Sequence, residues 1–315
     1  MGSSATALAP DADVEELNSG TAVIEKTAET EKMKLVFVKP VIDTRHTEAA
    51  QRLRNWGEKG NNLARALLLP MITFLIVLGI WSFIHAQVSS EIPAPSETWE
   101  AAVEIFSDPF YSEGPNDMGI GWQVAYSLGR VLSGFALAVL VGIPVGFIMG
   151  VSPVFERAWS PLIQILRPVS PLAWLPIGLL LFKAVNPSAI FVIFITSIWP
   201  VIINTFTGVR TIPKDYMNVA KVLQLGTFEI TRKILLPATL PHIITGMRLS
   251  LSIAWMVIVA AEMLTGGIGI GFYIWDEWNN LNVNSIIVAI GVIGVVGITL
   301  ESVMQWIQNR FSYPQ

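Results

Sequence analysis

From Ala184 to Val209 the chain carries no charged residue, and it carries none again from Leu249 to Ala261. Runs of this kind leave few folds open. In hydrocarbon every backbone N–H and C=O must be satisfied within its own segment, and ~20 apolar residues in a helix suffice to cross. The pattern recurs along the sequence, giving six expected spans at about 64–85, 122–150, 160–182, 187–209, 244–265 and 283–307. Hydrophobic residues make up 52% of the chain and charged ones only 14%, against about a quarter charged in soluble domains. The expectation is an all-α integral membrane protein. Pro161, Pro168, Pro171 and Pro176 fall in the third span, so a bend is expected there, with its first part in the interface.

An even number of spans puts both termini on one side, and Lys and Arg decide which. Eighteen of the twenty basic residues fall on one face by this reading, including Arg157, Arg167 and Arg310, leaving only Arg130 and Lys183. Residues 86–121 hold seven acidic residues and no basic one. Cytoplasmic termini and outward-facing 86–121 and 266–282 segments follow from the positive-inside bias. Eleven tryptophans suit the membrane boundary. The absence of cysteine excludes disulfides, thiolate metal sites and cysteine nucleophiles. No basic patch with interleaved aromatics suggests nucleic acid.

Residues 1–43 are expected to be a disordered or extended segment, the first part Ala/Thr/Glu-rich, with Leu35-Val36-Phe37-Val38 as a short strand candidate. The acidic start with no apolar run is not that of a signal peptide. From Thr47, Ala49, Leu53, Trp56, Leu63 and Leu67 recur at helical spacing with Arg52, Arg54 and Lys59 off the stripe. This predicts an amphipathic interfacial helix over 44–63, broken or bent at Gly57 and Gly60. The membrane domain then occupies 64–310, with a short tail over 311–315.

Residues 210–241 form a charged island between two apolar runs. Pro213 suits the first turn of a helix from Lys214 to about Leu223, Gly226 suits a break, and a second helix over Thr227–Leu235 would end at Pro237. Connections in bundles are usually short, so a folded hairpin here is a knob for a soluble partner.

Charges inside spans are costly and need a reason. Arg130 and Glu262 fall at comparable depth, which allows a structural ion pair. The alternative is that Arg130, with Lys183 near the mouth, offers an anion a favourable field, with Gln164, Asn204 and Thr205 as deeper hydrogen-bonding groups. The run Gly266-Gly267-Ile268-Gly269-Ile270-Gly271 follows an apolar helix rather than a strand. It reads as a tight turn into a short helix through Trp275 and Trp278 rather than a dinucleotide site. Gly129, Gly134, Gly142 and Gly146 are expected to admit close helix packing. His46, His85 and His242 are not spaced as a metal site.

The island resembles the EAA loop of ABC-importer permeases, whose pattern is Glu-Ala-Ala, three residues, Gly, nine residues, Ile-x-Leu-Pro. Counted back from Pro237, Ile234 and Leu236 are in register, Asn218-Val219-Ala220 stands at Glu-Ala-Ala, and Gln224 stands at the Gly. The Glu is thus replaced by Asn218, and a glycine appears two positions late as Gly226. The segments Arg130–Phe135, Gly142–Gly146, Leu166–Pro168, Pro171–Pro176 and Ala261–Met263 are similar to the nitrate/sulfonate/taurine/bicarbonate permease family. Asp108–Tyr111 with Gly114–Asp117 resembles cyanobacterial-type nitrate permeases and their bicarbonate relatives.

That resemblance implies the six-helix membrane domain of a type I importer in the cytoplasmic (inner) membrane. It implies a permease dimer, a homodimer by expectation, with two cytosolic ATP-binding subunits and an external solute-binding protein, all within membrane lipid. It implies coupling to the ATPase through Asp215, Asn218, Ala220, Gln224, Gly226, Ile234, Leu236 and Pro237. No Gly-x4-Gly-Lys-Ser/Thr loop occurs here, so ATP and Mg are expected on the partner subunits, with no cofactor on this chain. The expected function is nitrate import, with nitrite as co-substrate, by alternating access. Bicarbonate is the alternative within the family. From other classes, an ATP-independent channel or secondary transporter leaves the island unexplained, and an intramembrane enzyme lacks a catalytic cluster in the spans.

Overall fold

The computed structural model describes residues 22–25, 34–37, 68–87, 91–114 and 117–311. The expected interfacial helix over 44–63 and residues 312–315 lie outside them. The chain divides into Met1–Val77 and Leu78–Gln315. In the first unit β1 (Ala22–Glu25) pairs antiparallel with β2 (Lys34–Phe37), Ala22 opposite Phe37 and Glu25 opposite Lys34. The Leu35–Phe37 run is therefore extended.

The remainder is helical. Helix α1 is Leu68–Gln87, and its last turns are tied to the following loop. There Trp81 Nε1 donates to the Pro93 carbonyl at 3.0 Å, and His85 Nδ1 to that of Ile92 at 2.6 Å. Next come α2 (Pro95–Ser107), α3 (Ile120–Val151) and α4 (Pro153–Leu166). A 3-10 turn (Pro171–Trp174) leads into α5 (Leu175–Phe182) and then α6 (Val185–Arg210). The island supplies α7 (Lys214–Val222) and α8 (Thr227–Ile230). A π-helical turn, Thr231–Leu235, joins α8 to α9 (Leu236–Thr265), and α10 (Ile270–Asn279) and α11 (Val283–Phe311) complete the unit. Among the described residues five helices are long and apolar enough to cross a membrane, and six if the bent pair Pro153–Leu166 and Pro171–Phe182 counts as one.

One expectation holds and one changes here. The third span is bent by 99° between its halves. The run from Arg167 to Pro171 explains it, because two prolines and the residues before them disfavour continued helix. The second island helix does not stop at Pro237. It continues through the π turn into α9, giving an apolar helix over Phe228–Thr265. Leu236 N–H donates to the Thr231 carbonyl, one residue further back than in an α-helix. This shift in bonding accommodates Pro237 near the start of α9, where its missing N–H costs little.

Helix α6 is the centre of the bundle, packed on α3 along one side and on α9 along the other. Small residues set the separation. A Cβ at Gly134 would come within 2.6 Å of Ile193, one at Gly142 within 2.9 Å of Val201, and one at Gly146 within 2.7 Å of the Ile202 carbonyl. Gly150 continues the row against Val209, whereas Gly129 faces open space and has no part in it. Between α6 and α9, Gly208 meets Thr239 and His242, and Gly246 meets Asn204 and Pro200. Ser197 and Ser250 each donate to the other's carbonyl, at 3.4 and 2.7 Å. The core around Val131, Ile193, Ala254 and Ile258 is sealed by α10 and α11.

Candidate functional site

Polar chemistry collects at three depths. At the end of the bundle that holds Arg130, α3 presents Gln123, Ser127 and Arg130 on one face, spaced four and three residues apart as helical geometry requires. All three are buried, as is Glu262 of α9, at 1% exposure. Arg130 Nη1 donates to Glu262 Oε1 at 2.5 Å, and its Nε to Asn186 Oδ1 at 2.8 Å. The Ser127 hydroxyl donates to the Glu262 carboxylate at 2.8 Å, and Gly271 N–H donates to Oε2 at 3.1 Å. Ser127 Oγ in turn accepts from Ile270 N–H at 2.9 Å, and Gln123 Oε1 accepts from Gly269 N–H at 2.6 Å.

The glycine run is therefore a turn wrapped on a buried carboxylate, and it opens α10. A Cβ at Gly269 or Gly271 would collide with Glu262. The Arg130 charge is answered by Glu262, so this node joins α3, α6, α9 and α10 rather than projecting free positive charge. Arg130 still borders a cavity of about 430 Å³ with Trp122, Tyr126, Ser133 and Asn186. Lys183 does not border it; it lies exposed in the α5–α6 turn with φ 51°.

The motif Asp108–Tyr111 braces the same end. Gly119 N–H donates to the Tyr111 carbonyl at 2.9 Å, Gly121 N–H to that of Pro109 at 2.7 Å, and Trp122 Nε1 to that of Phe110 at 2.9 Å. The Phe110 and Trp122 rings meet edge to face, 5.7 Å apart. On α10, burial pushes Tyr273 up to about 12 and raises Glu277 above the usual carboxylate range.

Toward the Arg210 end of the bundle, Asn204 and Gln164 lie in separate cavities. Asn204 borders one of about 370 Å³ with Trp174, Thr196 and Trp199; Gln164 borders one of about 520 Å³ with Ser160 and Thr207. Thr205 joins neither. It is fully buried, close to Gly146 of α3, and its hydroxyl has no hydrogen-bond partner. A pair absent from the sequence reading also lies here: Arg248 Nε donates to Glu301 Oε1 at 2.6 Å, with Gln308 and Ser252 completing the network. A carboxylate on the apolar α11 stripe was the signal for it.

At the Arg210 end, Arg210 pairs with Glu156 of α4 and lies over the Phe206 ring. The α7–α8 knob follows. Asp215 and Asn218 are exposed on α7 and Ala220 is fully buried. Gln224, not Gly226, makes the break. Its φ is 51°, and Leu225 N–H donates back to the Ala220 carbonyl at 3.0 Å. This is a Schellman C-cap, whose left-handed position favours glycine. Gly226 is exposed and donates to Glu229 Oε2 at 3.3 Å. Ile234 is half-buried in the π turn, and Leu236 and Pro237 are exposed beyond it.

The sequence reading missed the knob's apolar surface. Tyr216, Val219, Val222, Leu223 and Phe228 are all more than half exposed, from 56% to 82%. The spacing of the first four along α7 was its signal. Among the described residues no three of His, Asp and Glu converge as a metal site.

A bundle of long apolar helices with a buried ion pair and a folded knob at one end defines a polytopic membrane subunit built to meet a soluble partner. Its fold matches a solved methionine ABC transporter in an inward-facing form, with TM-score 0.56 and 14% identity over 61% of this chain and 95% of that one. The family described as binding-protein-dependent transport system inner membrane components matches residues 142–313. A nitrate import permease protein of Leptolyngbya laminosa is 46% identical, over 76% of this chain and 85% of its own length. A bicarbonate transport system permease of Synechococcus elongatus is 42% identical over 82% and 92%. A taurine transport system permease of Escherichia coli is 30% identical over 79% and 90%. The chain belongs to the family of binding-protein-dependent transport system inner membrane components. It is a multi-pass membrane subunit of an ABC importer and not itself an enzyme.

Proposed function

We propose that this chain is the permease of an ATP-driven importer that carries nitrate, with nitrite as co-substrate, into the cytoplasm by alternating access. Two copies form the membrane unit, two ATP-binding subunits engage the knobs, and an external solute-binding protein delivers the anion. The observation that carries the coupling is the α7–α8 knob. Its exposed Tyr216, Val219, Val222, Leu223 and Phe228 sit on a rigid hairpin that leads through the π turn directly into α9. A push on the knob is thereby a push on a helix in the centre of the bundle. Hydrolysis on the partners, closing them against two such knobs, would rock the permease halves. The distribution of Lys and Arg supports a cytoplasmic position for both termini and the knob.

Nitrate as substrate is supported by the 46% identity to a nitrate import permease. Bicarbonate is the second reading, supported by a bicarbonate permease at 42% identity over more of the chain. Uptake of labelled nitrate and bicarbonate into liposomes holding the complete importer, with and without the binding protein, tests both. Nitrate uptake that requires ATP is the expected result. Uptake of bicarbonate alone would exchange the substrate, and uptake without ATP would overturn the mechanism.

A further inference from the structure

Arg167 borders both of the cavities toward the Arg210 end of the bundle. One holds Gln164, Ser160 and Thr207; the other holds Trp174, Thr196, Trp199 and Asn204. The basic residues of α3, α6 and α9 each have a carboxylate: Arg130 with Glu262, Arg210 with Glu156, Arg248 with Glu301. Arg167 has no ion-pair partner among the described residues, and neither cavity lining contains an acidic side chain. The sequence reading grouped it with the charges flanking the spans. The bend after α4 instead sets it beside Ile203 and Asn204 of α6, about 10 Å along the helix from Arg210 at 1.5 Å per residue. Arg167 is exposed there, so its charge is open to a water-borne anion rather than answered by a carboxylate of the protein.

Resting on the transport reading above, we propose that Arg167 is the anion-binding station of the path, joining the cavity around Asn204 to the one around Gln164. The ligand class is a small oxyanion. The planar fork of a guanidinium matches two oxygens of such an ion. The Asn204 amide, whose Nδ2 now donates to the Pro200 carbonyl at 2.8 Å, and the Thr196 hydroxyl are the neighbouring polar groups. The indoles of Trp174 and Trp199 give the Asn204 cavity an apolar wall, which strengthens electrostatics beside it. One unneutralised charge suits a station that must bind and then release.

The complete importer in lipid nanodiscs and liposomes provides the test, using a chain that has no native cysteine. With Thr196→Cys as reporter, potassium nitrate is expected to slow labelling by a small thiol reagent relative to potassium gluconate. Arg167→Gln should abolish that protection, and Arg167→Lys should keep part of it. Arg167→Gln should also lower ATP-driven nitrate uptake about tenfold or more at equal membrane abundance, the loss of one charge-assisted hydrogen bond. No nitrate protection with Arg167 intact would overturn the proposal, as would uptake in Arg167→Gln within about twofold of the parent. If Arg167→Gln and Arg167→Lys both fail to assemble, the side chain is a structural partner and the proposal falls. If the parent importer takes up none of nitrate, nitrite and bicarbonate, the transport reading itself fails, which is a separate result.

Discussion

Glu262 shows how one buried residue organises several elements. Its two oxygens accept from Arg130, Ser127 and Gly271, so removing Arg130 leaves a carboxylate that is 1% exposed without its counter-charge. Breaking one side of such a buried pair costs about 3–5 kcal/mol. Arg130→Gln and Glu262→Gln should each lower the amount of assembled subunit in membranes. The double variant should recover part of that loss, as quantified by a double-mutant cycle on thermal stability. Normal assembly of both single variants would remove the structural role. Gln224 makes the opposite case. Its left-handed backbone disfavours a side chain by roughly 1–2 kcal/mol, so Gln224→Gly should leave assembly intact and raise the thermal midpoint. A lower midpoint would mean that the Gln224 side chain contributes more than its backbone costs.

At the scale of elements, the α7–α8 knob separates folding from coupling. Its exposed apolar side chains make few contacts within the chain, so replacing them should not unfold it. Surface substitutions of this kind usually change stability by no more than ~0.5 kcal/mol. Val222→Asp or Phe228→Asp should therefore leave the permease in the membrane, while abolishing copurification of the ATP-binding subunits and substrate-stimulated ATP hydrolysis. If either variant retains both activities at parental levels, that surface is not the coupling face. The π turn belongs to the same argument. It keeps Thr231–Leu235 helical up to Pro237, so α8 runs on into α9 without a break. The sequence hid this, because a proline after a charged stretch ordinarily marks an end.

Across the whole molecule, the spans could be read from the sequence because hydrocarbon imposes one solution on each apolar run. Most of their ends differ from the expected ones by only a few residues. The loop register could be read too, since Pro237 and Ile234 are fixed points and the left-handed break falls at Gln224, where the pattern places glycine. Apart from the Arg130–Glu262 pair, contacts between distant residues could not be read. Asn186 reaches Arg130 and Gln123 reaches Gly269 only after three helices meet, and Arg167 shares a cavity with Asn204 only once the chain bends by 99° after α4.

Orientation is the remaining property of the whole, and it rests on charge alone. The knob carries Arg and Lys, while the braced segment around Ser112 lies in a stretch with seven acidic residues and no basic one. Because the chain contains no cysteine, single cysteines report cleanly. Ser112→Cys should react with a membrane-impermeant thiol reagent in intact cells stripped of any outer barrier, and Asn218→Cys should react only in inside-out vesicles. Both positions are exposed, so access rather than burial decides the outcome. Binding of the ATPase subunits should further protect Asn218→Cys and leave Ser112→Cys unchanged. The reverse labelling would place the knob outside the cell, where no ATP-binding subunit could reach it, and would overturn the coupling mechanism together with the orientation.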